Sequence, residues 1–222
     1  MAINKDAYLQ IAKELASKNI TLVAVSKTKP VEDIKELYDL GHRDFGENYV
    51  QELAAKQPAL PADIRWHFIG HLQTNKVKYI APFIYLIQGV DSPKLLAEIN
   101  TQGVKNNRVI NALLQVHIAR EETKFGLDES ELDEMIRSKL ISELTNVQVS
   151  GLMGMASFVE DMNKVKEEFH NLKALFGRYR QTEIKNFKPE ILSMGMSADY
   201  SVAIEEGSNM VRIGSLLFGE RN

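Results

Sequence analysis

Residues 22–30, Leu-Val-Ala-Val-Ser-Lys-Thr-Lys-Pro, decide the fold. Four buried-type residues give way abruptly to polar ones, and Pro30 then suits the first turn of a helix. The same unit recurs down the chain. Short apolar runs lie at 22–25, 44–46, 66–69, 85–90, 109–118, 147–153, 191–194 and 211–214, each followed by a polar, helix-like segment. Parallel strands need crossover connections of about a dozen residues or more, and these segments supply them. Eight such units, preceded by one extra N-terminal helix, predict a single (β/α)8 barrel of the TIM type. The run at 44–46 is very short, and the one at 109–118 is long enough to read as a helix. The pattern alone also leaves a doubly wound open sheet standing as the alternative.

No linker, low-complexity stretch or shift in composition interrupts the 222 residues, so residues 1–222 read as one domain. The net charge of −3 offers nucleic acid no concentrated positive surface. There is no cysteine, which excludes a disulfide framework, a thiolate metal site and a cysteine nucleophile. The first twenty residues alternate polar and apolar types at helical spacing, with neither the apolar core of a signal peptide nor a membrane span. The expectation is a cytoplasmic protein with no membrane association. No exposed apolar stripe calls for a partner, so a monomer is expected.

Barrels of this kind work at the C-terminal ends of their strands. The first run ends in Ser26-Lys27-Thr28-Lys29-Pro30. A lysine there, pointing into the barrel mouth and partly desolvated, is a nucleophilic amine suited to a Schiff base. On position alone the more ordinary reading is a lysine whose stem lies along the strand end while its ammonium reaches water. The last two runs bear on that choice. The seventh ends in Ser193-Met194-Gly195-Met196-Ser197-Ala198-Asp199 and the eighth in Val211-Arg212-Ile213-Gly214-Ser215. Both are glycine-plus-hydroxyl turns leading towards a helix, where close backbone approach and free N–H groups attract phosphate. Each alone is an ordinary helix cap. Their pairing after strands seven and eight, the recurrent phosphate site of the barrel, is what carries information. Closure puts strand eight beside strand one, so a phosphate at Ser197, Gly214 and Ser215 would lie near Lys27.

Arg212 sits within an apolar run, and a buried arginine needs a partner or a ligand. It can meet the ring nitrogen of a pyridine held between the phosphate site and Lys27, or form an ion pair with Glu47 or Asp199. His67 and His71 stand four apart but across a strand end, with no third ligand evident, so no metal is expected. His42 and His170 read as surface residues of helical segments. The methionines, Met153, Met155, Met194 and Met196 among them, read as barrel filling.

At this point the residues resemble a known family, the pyridoxal phosphate homeostasis proteins, along nearly the whole chain. The matching blocks are Val23-Ala-Val-Ser-Lys-Thr-Lys-Pro30, Phe45-Gly-Glu-Asn-Tyr-Val-Gln-Glu52 and Trp66-His-Phe-Ile-Gly-His-Leu-Gln-Thr-Asn-Lys76. Further on come Gly151-Leu-Met-Gly-Met155, the Ser193–199 turn, and Val211-Arg-Ile-Gly-Ser215 with Phe218-Gly219. The resemblance implies a barrel like the N-terminal domain of alanine racemase, without that enzyme's second domain. It implies pyridoxal 5′-phosphate (PLP) as cofactor, held as a Schiff base on Lys27. Ser197, Gly214 and Ser215 would bind its phosphate, Arg212 would stand near the pyridine nitrogen, and Asn48 would lie on the cofactor side. Ser215 replaces a more usual threonine, His117 a more usual asparagine, and Lys124-Phe125-Gly126 has a bulkier middle residue than the family pattern.

An arginine opposite the pyridine nitrogen disfavours its protonation and weakens the ring as an electron sink. Racemisation also needs acid–base groups on both faces of the substrate carbon, and only Lys27 is assignable. The expectation is therefore a protein that buffers, protects or delivers PLP, with apo PLP enzymes as recipients and no established catalytic residue. The alternative is a PLP-dependent amino-acid racemase. A lysine aldolase without PLP would fit Lys27 and leave Arg212 unexplained.

Overall fold

Eight parallel strands close into a barrel in chain order, in a computed structural model that describes residues 3–119 and 125–219. They are β1 (Thr21–Val25), β2 (Asp44–Glu47), β3 (Arg65–Phe68), β4 (Leu86–Val90), β5 (Ile110–Val116), β6 (Val147–Gly154), β7 (Phe187–Met196) and β8 (Met210–Ile213). Every run read from the sequence is a strand. The short one gains Glu47, and the long one is β5 and not a helix. The closing pair is β8 with β1, which sets Arg212 opposite Val23 and Ile213 opposite Ala24. That closure rules out the open sheet.

Among the described residues the helices are α1 (Lys5–Ser17), α2 (Val31–Asp39), α3 (Val50–Lys56), α4 (Val77–Ile80), α5 (Pro93–Lys105), α6 (Glu129–Arg137), α7 (Leu140–Glu143), α8 (Met162–Tyr179), α9 (Tyr200–Glu205) and α10 (Ser215–Phe218). Their starts are written locally. Ser92 Oγ accepts from Leu95 N with Pro93 at the first helical position. Asp128 and Glu131 form a reciprocal capping box at α6. The extra helix α1 buries Tyr8, Ile11 and Leu15 and packs against β1 and α10. No helix among the described residues is long and apolar enough to cross a membrane.

The core has two layers. The larger lies between strands and helices and includes Phe45, Phe68 and Phe169, all fully buried. Each such side chain contributes about 1.5–3 kcal/mol by leaving water. The smaller fills the barrel itself: Val23, Leu86, Leu113, Met153 and Met210, one each from five strands. The methionines divide accordingly. Met153 is barrel filling, Met194 is buried in the outer layer, and Met155 and Met196 face a cavity described below.

His42 departs from its sequence reading. It is buried, its ring edge-on to Tyr8 (5.6 Å) and Phe45 (5.0 Å), with Nε2 2.8 Å from the Asp44 carbonyl. The helical face stops at Asp39, and Gly41 at φ 98° turns the chain inward just before it. Burial, the largest influence, lowers the pKa of His42. His170 does lie on the surface, beside Glu206 at 3.0 Å.

Candidate functional site

Side chains alternate along a strand, so the direction of each residue leaving β1 follows from its parity. Val25 and Lys27 line a cavity at the C-terminal mouth of the barrel, while Ser26 between them turns outward to Glu47. The cavity measures about 330 Å³. It lies near the lower end of the about 300–1,000 Å³ typical of small-molecule sites. Asn48, Ser197, Arg212, Gly214 and Ser215 line it as well. All six residues singled out in the sequence thus converge on one space, from the ends of β1, β2, β7 and β8.

The two glycine-plus-hydroxyl turns meet directly. Gly214 N–H donates to Ser197 Oγ at 3.2 Å, bridging the loop after β7 to the start of α10. Gly195 makes the first turn feasible, with φ 95° and only 2.5 Å between an added Cβ and Ala203 Cβ. Asp199 then closes the loop, accepting from Met196 N at 2.5 Å. Lys29 shares the cavity wall, but its Nζ donates to the Phe218 carbonyl at 2.9 Å, at the end of α10. Lys76 lies in a separate turn, 5.6 Å from the Tyr79 ring. Lys27 and Lys29 both line the cavity, and Lys76 does not.

Arg212 is buried, and its surroundings correct one expectation. Glu47 is not its partner. Nη1 donates to Ser193 Oγ at 2.6 Å and Nη2 to the Gly154 carbonyl at 3.0 Å. Burial pushes its pKa down to about 10, with Asp199 acting in the opposite sense, so it stays charged at neutral pH. Glu47 has the opposite parity in β2 and faces α3, where Lys56 Nζ donates to it at 2.8 Å. Lys56 also donates to Glu52 (2.6 Å) and to the Ser26 carbonyl (2.8 Å). Glu52 in turn accepts from Thr28 N at 2.6 Å. This buried cluster grips Ser26 and Thr28, the two neighbours of Lys27. Burial, the dominant effect, raises the Glu47 carboxyl against the pull of Lys56.

His67 and His71 part company. His67 is fully buried inside the barrel, between Asp44 and Gln88. His71 is exposed, 3.1 Å from Asp91, its ring stacked on Phe125 at 4.0 Å. Lys124, in the turn noted for its bulk, lies outside the described residues. No group of three or more metal-ligating side chains occurs among the described residues.

The sequence reading missed Gln88 and the part played by Ser193. Gln88 was visible as a lone amide in the apolar run Leu86-Ile87-Gln88-Gly89-Val90. Its partner on another strand was not.

Comparison with known proteins agrees with this geometry. The family model for the N-terminal domain of alanine racemase matches residues 6–222. A pyridoxal phosphate homeostasis protein of Aquifex aeolicus is 46% identical over 201 residues, covering 90% of this chain and 86% of that protein. PipY of Synechococcus elongatus, solved with PLP bound, superposes with a TM-score of 0.82 at 34% identity, covering 94% of this chain and all of that one. Alanine racemase from Bartonella henselae gives a TM-score of 0.72 at 20% identity, with 97% of this chain covering 59% of it. That likeness shows the fold alone.

Proposed function

We propose a function from one premise: the chain belongs to the family of the alanine racemase N-terminal domain and, within it, to the pyridoxal phosphate homeostasis proteins. It binds PLP and serves its homeostasis, buffering, protecting or delivering the cofactor. One observation carries the reading. A single cavity brings together an amine (Lys27), a buried guanidinium (Arg212) and two hydroxyl-bearing turns joined by the Gly214–Ser197 bond.

The donor set fits PLP, an aromatic aldehyde with a phosphate arm. Lys27 supplies the amine for a Schiff base, and Val25, Ile69 and Met155 supply apolar wall for a planar ring. Ser197, Gly214 and Ser215 form the phosphate side. Arg212 presents a charged donor at the cavity floor, where a pyridine nitrogen would accept. Asn48 Oδ1 is buried with no hydrogen-bond partner among the described residues, an acceptor that a ligand donor would complete. When bound, PLP supplies an electron sink that depends on protonation of its ring nitrogen. Arg212 opposes that protonation, so this chain's residues hold the cofactor better than they activate it.

Residues 1–222 act as one PLP-binding domain, with no catalytic residue assigned. The protein works in the cytoplasm as a monomer and hands PLP to apo PLP enzymes. The test is a visible spectrum before and after borohydride reduction, followed by peptide mapping. A yellow band lost on reduction, with the pyridoxyl mass on the Lys27 peptide, is expected. The same mass on Lys29 or Lys76 would overturn the assignment.

A further inference from the structure

A hydrogen-bond chain runs through the barrel interior, from the floor of the cavity to the opposite mouth. Arg212 Nη1 donates to Ser193 Oγ at 2.6 Å, and Ser193 Oγ donates to Gln88 Oε1 at 2.7 Å. Gln88 Nε2 lies 3.1 Å from His67 Nδ1, and His67 Nε2 lies 3.1 Å from Asp44 Oδ1. Asp44 ends the chain in a two-point ion pair with Arg65, at 2.7 and 2.5 Å. Five strands, β8, β7, β4, β3 and β2, each give it one residue. Ser193, Gln88 and His67 are fully buried.

Only one arrangement of hydrogens satisfies every atom. A guanidinium is a pure donor, so Ser193 Oγ accepts from Arg212 and its own hydrogen goes to Gln88. Gln88 must then present its oxygen to Ser193 and its NH2 to His67. His67 Nδ1 accepts, which leaves its hydrogen on Nε2, directed at the Asp44 carboxylate. Turning the Gln88 amide over would leave the Ser193 hydroxyl hydrogen with no acceptor in the chain and would set Gln88 Oε1 against the bare Nδ1 of His67. Each link fixes the next.

We propose that Ser193, Gln88 and His67 are positioning residues for Arg212, setting the direction and charge that it offers to the cofactor. The proposal rests on the reading of Arg212 as the residue facing PLP. Together with the Gly154 carbonyl, the chain takes two of the five guanidinium N–H groups and fixes the plane of the fork. Both acceptors are neutral oxygens. The anion that completes the chain, Asp44, is placed at the far end of the barrel, so among the described residues no carboxylate hydrogen-bonds to Arg212, and Asp199 acts on it only through space.

The test has two parts. In the unliganded protein, 15N NMR of His67 should show the neutral Nε2–H tautomer; an Nδ1–H ring overturns the proposal without reference to PLP. In the second part, Ser193→Ala and Gln88→Met, checked for wild-type folding by circular dichroism, should each bind PLP about 10-fold more weakly. Each should also shift the pH midpoint of the visible Schiff-base band. The double variant should lose no more than either single one, and Ser193→Thr should bind like wild type. Independent, multiplying losses, or wild-type affinity in both single variants, would overturn it. Absence of a pyridoxyl adduct on Lys27 in the wild-type protein would instead remove the functional reading and leave the NMR result standing.

Discussion

Gly214 N–H donates to Ser197 Oγ at 3.2 Å, so the turns that follow β7 and β8 are joined edge to edge. Neither turn is informative by itself. Joined, they bring two hydroxyls into the lining of the cavity that Lys27 also lines.

That junction predicts which vitamer the site prefers. A hydrogen bond to a charged group is worth about 1.5–3 kcal/mol, or roughly 10- to 100-fold in affinity. Ser197→Ala should weaken PLP by about that factor and leave the phosphate-free aldehyde pyridoxal nearly unchanged. Absorbance titrations with the two ligands measure both constants. Equal losses for both would place the phosphate elsewhere.

Gly195→Ala should be costly for backbone reasons. A side chain at φ 95°, with its Cβ 2.5 Å from Ala203 Cβ, needs both strain and displacement. A loss of about 1–3 kcal/mol is expected from the dihedral alone. Chemical denaturation measures it. PLP affinity should fall as well, because the same turn carries Ser197.

The cluster behind Lys27 predicts a large stability effect. Lys56→Met leaves Glu47, which is completely buried, without its cation. Removing one partner of a buried pair typically costs about 3–5 kcal/mol. The double variant Lys56→Met/Glu47→Gln should recover part of that loss, since no unpaired charge remains. Guanidinium midpoints for the three proteins give the comparison.

Two carboxyls give opposite pH signs. Burial would raise Asp44, but its hydrogen bonds from Arg65 and His67 prevail and hold it well below its usual 3.8. The folded state therefore binds that proton less tightly than the unfolded chain, and the stability Asp44 contributes is lost as pH falls below about 4. Glu47 is raised above 4.5, so its contribution is present in acid and is lost as pH rises from there. Urea unfolding from pH 2 to 7 should show the acid-side loss shrink in Asp44→Asn. In Glu47→Gln the decline on the alkaline side should shrink instead. An unchanged acid limb in Asp44→Asn would contradict the assignment.

A holder of PLP and an enzyme that uses it differ in what happens to an amino acid. Loaded protein incubated with alanine in deuterated water should show no α-proton exchange above that of free PLP. The same protein mixed with a stoichiometric apo PLP enzyme should restore its activity. Exchange that disappears in Lys27→Ala would favour a racemase.

The eight-unit rhythm was legible in the sequence because strand and crossover helix are local: each apolar run declares itself by its own neighbours. Lys27, Ser197, Arg212, Gly214 and Ser215 were legible for the same reason, as strand-end residues in a known architecture, and Asn48 through the family resemblance; all six line the cavity. What the sequence could not decide were partners far apart along the chain. Glu47 was open to Arg212 until its register in β2 turned it outward to Lys56. His42, next to a helix, was sent into the core by one turn at Gly41. Gln88 and Ser193, 105 residues apart, meet only because the barrel closes, bringing β4 and β7 side chains into one interior. Local chemistry fixes which residues stand at the mouth of this barrel. Closure and strand parity decide what stands beneath them, because hydrogen bonds inside a barrel are set by register and not by distance along the chain.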